Sequence, residues 1–237
     1  MMQIAGFRHP HRVVSVSRRG ELKKEIEERH KNGELSDLIF RSYSRIFDCL
    51  LPADCYSAES LIVAAVPRPQ TRVVFTWKGE ELPLLIPPTY ARYWKINQEV
   101  EEELSHLLRP REFWVRFARV PQKLLAVRSG LAKYGRNNIT YIPQLGSFYQ
   151  LVSYYSNFPA EEEVWGDPVL MDSCEACRCA CPSGAIGTDL FLIQQDRCLT
   201  FYCGYSGVQA IPDWLNPAWL ECLIGCMRCQ RACPENR

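Results

Sequence analysis

Cys174, Cys177 and Cys181-Pro182 are spaced C-x2-C-x3-C-P, and Cys226, Cys229 and Cys233-Pro234 repeat that spacing fifty-two residues further on. No other feature constrains the fold as much. Soft thiolates at this spacing, closed by a proline that has no N–H to satisfy, read as ligands of iron in clusters. Two copies read as the ligand set of two [4Fe–4S] clusters. In a two-cluster arrangement the cysteine before proline ligates the other cluster, so the runs interlock. A chain of this design has to bring residues 174–182 and 226–234 together.

The ligand count is incomplete. The two triplets supply six thiolates, whereas two cubanes of four cysteines need eight. The remaining two come from Cys179, Cys198, Cys203 or Cys222, or from the distant Cys49 and Cys55. Cys179 lies inside the first run, and Cys198 lies between the runs in DRCLTFY. A full run is C-x2-C-x2-C-x3-C-P. Counted back from Cys181-Pro182, its first cysteine falls on Met171. Cys49 and Cys55 sit among apolar residues and read as small buried hydrophobes. Two competing readings of the cysteines are four-thiolate zinc sites and disulfides. Zinc motifs come as separated C-x2-C pairs without the C-x3-C-P ending. A disulfide framework suits a short secreted chain, and this one has 237 residues with no apolar leader.

Composition adds exclusions. A hydrophobic fraction of 47% supports an ordinary core, and 28 basic against 27 acidic residues give a net charge of +1. That balance carries no footprint for nucleic acid or an anionic membrane. No apolar run reaches the roughly 18 residues of a membrane span. Arg18-Arg19 is followed by the charged Gly20-Glu-Leu-Lys-Lys-Glu rather than the apolar stretch of an export signal. The expectation is a cytoplasmic protein with no membrane partner.

The pattern predicts helices over 20–32, over 36–50 from a Ser36 cap, and over 89–108, the last with an acidic outer face. It predicts strands at 61–66, 72–77, 82–86, 112–118, 138–142 and 147–155. A further helix opens near Pro121 and is closed by Gly135. The expectation is an α/β (α+β) domain over 1–165, and a ferredoxin-like double [4Fe–4S] domain over 166–237. His9, His11, His30 and His106 lack ligand partners and are given no role.

DRCLTFY, a spacer containing Ile211-Pro212, and IGCMRCQRACPEN together resemble the cysteine-rich part of epoxyqueuosine reductases. LAVRSGLAKYGRNNITYIPQLGSFYQL resembles the stretch that precedes it, where that family has a GL-x-x-x-GKN helix end and a GSW or GSF turn. The likeness covers about residues 113–237; the first 110 match loosely, through LIVAAVP and IPPTY. The resemblance implies a cytoplasmic enzyme with two [4Fe–4S] clusters and a cobalamin-binding N-terminal domain. It implies one cluster on Cys174, Cys177, Cys233 and the Met171 position, and another on Cys181, Cys198, Cys226 and Cys229. Methionine offers no thiolate, so Cys179 is the expected substitute, with Cys203, Cys222 or an incomplete first site as alternatives. Gly135, Arg136, Asn137, Asn138, Gly146 and Ser147 are the candidate corrinoid contacts; a helix end and a strand turn explain the same residues without a ligand.

Three departures bear on activity. The family's proton-donating aspartate lies in V-D-[ST]-x-P-x-x-E-R, and VRFARVPQKLLAVRSGL places Arg116 there, with Gln122 and Lys123 where Glu and Arg stand. Arginine stays protonated and does not supply that proton; a salt-bridged residue on a strand end is its plainer role. The helical-repeat extension that helps such enzymes hold tRNA does not follow Pro234. Net charge does not compensate, so tRNA is not expected as a partner. The first expectation is an oxidoreductase that passes electrons from a ferredoxin or flavodoxin through the clusters to a cofactor, cobalamin by the resemblance, or to a small-molecule substrate. The second is a non-catalytic carrier or reductive activator of a corrinoid or other partner protein. The third is a zinc-binding interaction module.

Overall fold

The computed structural model describes residues 4–160, 164–171, 174–188, 192–204 and 211–236. In chain order it forms β1 (His11–Ser15), α1 (Arg18–Lys31), α2 (Asp37–Ser42), α3 (Ser44–Phe47), β2 (Ser60–Pro67), β3 (Thr71–Trp77), β4 (Glu80–Ile86), α4 (Tyr93–Leu108), β5 (Val115–Phe117) and α5 (Gln122–Arg128). There follow β6 (Lys133–Tyr134), β7 (Thr140–Tyr141), β8 (Tyr149–Ser156), α6 (Ala176–Cys179), α7 (Leu199–Gly204) and α8 (Arg228–Ala232). The fold is mixed α/β with antiparallel strand pairs. Two compact units interleave along the chain. One comprises Met1–Val66, Trp94–Lys133 and Leu151–Val169, and the other Pro67–Tyr93, Tyr134–Gln150 and Leu170–Arg237.

The first unit is built on a four-stranded sheet of order β1-β2-β8-β5. Leu61 to Val66 of β2 are all buried, as is every residue of β8. Central strands covered on both faces read as continuous apolar runs rather than alternating ones. On one face, Ile62, Ala64 and Val66 of β2 join Val152 and Tyr154 of β8 and the stripe Ile96, Val100, Leu104 and Leu108 of α4. That stripe recurs every four residues, which places it on one side of a helix. Each such side chain contributes about 1.5–3 kcal/mol by leaving water.

Two helix expectations are corrected. The segment over 36–50 divides at Tyr43 (φ −111°) into α2 and α3, although Ser36 does cap it, its hydroxyl accepting from the Ile39 N–H at 3.4 Å. The helix after Pro121 ends at Gly130, not Gly135. Gly130 has φ +67°, and the N–H groups of Gly130 and Leu131 close on the Val127 and Ala126 carbonyls. A glycine in the left-handed region ends a helix wherever it first meets the last turn.

In the second unit β3 and β4 form a hairpin in register Trp77↔Glu80, turned by Lys78 (φ +51°) and Gly79 (φ +85°). Positive φ at both turn positions matches the twist of the strands. Leu85 of β4 donates its N–H to the Glu221 carbonyl and accepts from the Leu223 N–H. The hairpin is thereby tied to the residues just before the second cysteine run.

Candidate metal centre

Each cysteine run folds as a loop, one short helix, and the Cys-Pro step. Cys177 and Cys229 are both the second residue of their helices, α6 and α8. These two helices pack against each other. Isolated helices of four or five residues are not stable in water, so their placement depends on what they pack on. The packing sets Cys177 among Cys233 and Cys174, and Cys229 among Cys226, Cys198 and Cys177, close enough for each thiol to feel its neighbours' charge. The two runs thus pack together through α6 and α8.

The framework for this pairing is the segment 134–150. Gly135 to Ile139 form a tight loop between β6 and β7, with Asn138 left-handed at φ +58°. A Cβ at Gly135 would meet the Tyr141 ring at 2.6 Å, so glycine is what lets the ring lie against the loop. Asn137 is buried and fully engaged. Its Nδ2 donates to the Tyr141 hydroxyl at 2.9 Å and to the Cys229 sulfur, and its Oδ1 accepts from the Ile139 N–H at 3.2 Å. The Tyr141 hydroxyl in turn bonds the Cys233 sulfur. Further on, Ser147 N–H donates to Asn236 Oδ1 at 2.7 Å, while Asn236 Nδ2 and Gln230 Nε2 donate to Ser147 Oγ at 2.9 and 3.3 Å. This clamp holds the turn that follows Cys233-Pro234.

Gly135, Arg136, Asn137, Tyr141, Met171, Cys174, Cys177 and Cys233 line one open cleft, with about 320 Å3 of empty space, solvent included. Arg136 is held there by Glu175 Oε1 at 3.4 Å and by the Thr188 carbonyl. Met171 is fixed through its N–H on the Tyr134 carbonyl at 2.8 Å. Cys179 stands apart: it is exposed at the end of α6 and does not line the cleft. Cys181 is half-buried, its sulfur 3.6 Å from Ser183 Oγ. Cys222 is buried beside Cys226, and Cys203 neighbours Cys198. Cys49 and Cys55 are buried in the first unit.

Burial raises the Cys177, Cys203, Cys222, Cys226 and Cys229 thiols. It pushes Cys229 up to about 12, helped by the charges of Cys226 and Cys198, and Cys226 up to about 11. Backbone N–H groups work the other way, from Arg178 on Cys177 and from Arg228 on Cys226. At neutral pH such thiols stay protonated until a soft cation takes their protons' place. A grouped, half-buried set of soft donors with N–H groups aimed at the sulfurs suits iron–sulfur ligation.

Sequence reasoning passed over Tyr141, Gln230 and Asn236. The asparagine two residues beyond Cys233-Pro234 was the one local signal for that clamp. Arg116 lies on the exposed edge strand β5 opposite Tyr155, its Nη1 on the Val115 carbonyl at 2.8 Å and within electrostatic reach of Glu101.

The fold and site define a class: a mixed α/β chain with a doubled cysteine run whose two short helices pack together. No protein-family model matches it. It is similar to epoxyqueuosine reductases, among them those of Shewanella oneidensis (30% identity over 155 residues, 62% of this chain and 37% of the relative) and Staphylococcus aureus (27% over 234 residues, 92% and 58%). Among solved structures it matches epoxyqueuosine reductase from Streptococcus thermophilus with TM-score 0.71 at 20% identity, covering 96% of this chain and 62% of that one. The chain thus spans 37% and 58% of the length of these two curated relatives. It is an epoxyqueuosine reductase-like protein.

The expectation that tRNA is not a partner is corrected. One matching structure (TM-score 0.68, 20% identity, 95% of this chain and 61% of that one) is an epoxyqueuosine reductase with an epoxyqueuosine-modified tRNA-Tyr stem loop. Net charge averages over the whole surface, whereas phosphates and bases are met by local groups, so +1 excludes nothing. Among the described residues, no helix is long and apolar enough to cross a membrane.

Proposed function

We propose that the chain is an iron–sulfur redox protein of the epoxyqueuosine reductase type, acting on the queuosine pathway through two [4Fe–4S] clusters. Cys174, Cys177 and Cys233 hold one cluster, and Cys181, Cys198, Cys226 and Cys229 hold the other. The observation that carries this is the grouping of the thiols into two sets joined at Cys177 and Cys229. Each cluster supplies single electrons at low potential. The chain's own contribution is placement: α6 and α8 present the sulfurs, while Asn137 donates a hydrogen bond that offsets part of the rise burial imposes on the Cys229 thiol, and Tyr141 bonds the Cys233 sulfur.

Zinc is disfavoured by spacing. Among the described residues no three His, Cys, Asp or Glu side chains stand close enough to share one ion. A single zinc gathers four sulfurs at about 2.3 Å, whereas a cubane spreads them over four irons. All twelve cysteines are free, which suits a reducing compartment such as the cytoplasm. The electron donor is of ferredoxin or flavodoxin type, the acceptor a cobalamin or substrate, and epoxyqueuosine-modified tRNA the substrate class.

The deciding experiment is anaerobic purification followed by iron, sulfide, zinc and cobalt analysis. About eight irons per chain with a broad absorption shoulder supports the reading. Zinc with no iron ends it. Cobalamin that leaves no change in spectrum or retention removes the corrinoid from it.

A further inference from the structure

Resting on that cluster reading, we infer that the cluster between Cys174, Cys177 and Cys233 is held by three thiolates only. Among the described residues no further thiolate lines the Met171 side of the cleft, and the cluster's fourth iron is open there to a small carboxylate-class anion. Three observations carry this. A full run has its first cysteine at the Met171 position, and a thioether does not provide the thiolate a cluster iron takes. Met171 nevertheless occupies that place, lining the cleft with the three cysteines, its backbone fixed on Tyr134. The spare thiols lie elsewhere: Cys179 is exposed and outside the cleft, and Cys203 and Cys222 neighbour Cys198 and Cys226 of the other group.

An iron without its thiolate is a harder acid and takes oxygen donors. Arg136 lines the same cleft and offers an anion a positive neighbour, although Glu175 at 3.4 Å shares that charge and restricts the site to small ligands.

The test is oxidation of the anaerobically reconstituted full chain with ferricyanide. Ferricyanide takes one electron and becomes ferrocyanide; the open [4Fe–4S]2+ cluster releases one Fe2+ and is left as [3Fe–4S]+. The wild type should lose one of about eight irons per chain and gain a [3Fe–4S]+ electron paramagnetic resonance signal. Met171→Cys, which supplies the missing thiolate, should keep all its iron, and Cys179→Ala should behave as the wild type. Wild type that keeps its full iron, or lability that appears only in Cys179→Ala, overturns the inference; these two measurements decide it even if Met171→Cys does not fold. Oxalate should shift the spectrum of the reduced wild type and not that of Met171→Cys; no shift in the wild type overturns the carboxylate class. Protein that binds no iron overturns the cluster reading itself, a different result from a full and stable complement.

Discussion

Gly146→Ala tests whether the 142–147 turn sets the position of Cys233. Gly146 has φ +68°, where an L side chain costs about 1–2 kcal/mol. A Cβ there would also stand 2.7 Å from the Glu235 carbonyl, so the turn after Cys233-Pro234 has to move. Moving it endangers the 2.7 Å bond from Ser147 N–H to Asn236, worth about 1 kcal/mol net. The sum is about 2–3 kcal/mol, or roughly 5–10 °C in melting temperature for a chain of this size. Gly33→Ala is the matched control: φ is +76° but nothing lies within 4 Å, so only the backbone cost of about 1–2 kcal/mol applies. Melting curves and iron content of both variants provide the readout. Gly146→Ala should melt lower and lose iron, while Gly33→Ala keeps its iron. If the two melt alike and both hold full iron, the turn does not position Cys233 and the argument fails.

Leu104→Ala empties a fully buried place in the α4 stripe and should cost about 3 kcal/mol in urea unfolding, within the usual 2–5. His11 is buried, with Nε2 accepting from the Ile4 N–H at 3.0 Å and Nδ1 donating to the His9 carbonyl at 2.8 Å; burial lowers its pKa. The unfolded chain therefore binds the proton more readily, and stability should fall as pH drops below about 6.5, an effect that His11→Gln removes in pH-dependent unfolding. Tyr141→Phe keeps the ring against Gly135 but removes a donor to the Cys233 sulfur. Losing a bond of about 1 kcal/mol that favours the reduced, more negative cluster should lower one potential by about 40 mV in a spectroelectrochemical titration.

The strands β2 to β5, β7 and β8 and the long helices were legible because their signals are local, while β1 and β6 went unpredicted. Ile96, Val100, Leu104 and Leu108 announce α4 by period, and Lys78-Gly79 is flanked by two β-rich runs. The approach of the two cysteine runs was legible because their repeated spacing calls for it, and α6 packs on α8. The helix end at Gly130 was misread because a glycine-rich stretch offers several stops, and only the chain's path selects the first. The role of 134–150 was not legible. Its residues act at long range, Ser147 on Asn236 and Asn137 on Cys229, and nothing in local spacing reports such partners.

Those long-range bonds also bear on what the 135–147 residues can offer a corrinoid. Asn137 spends its donors on Tyr141 and Cys229 and its acceptor on Ile139. Ser147 Oγ already receives Asn236 and Gln230, and Gly146 lies against the Glu235 carbonyl. Breaking any of these to reach a ligand leaves a buried group unsatisfied, at about 1–3 kcal/mol each. Arg136 and the open cleft before it are where this segment can still meet something from outside. The turn residues named as cofactor contacts are thus already engaged with Tyr141, Cys229, Asn236 and Gln230. Two helices of four and five residues are not stable alone, and the glycines and asparagines of 135–147 let a second stretch of chain come close enough to hold them in place.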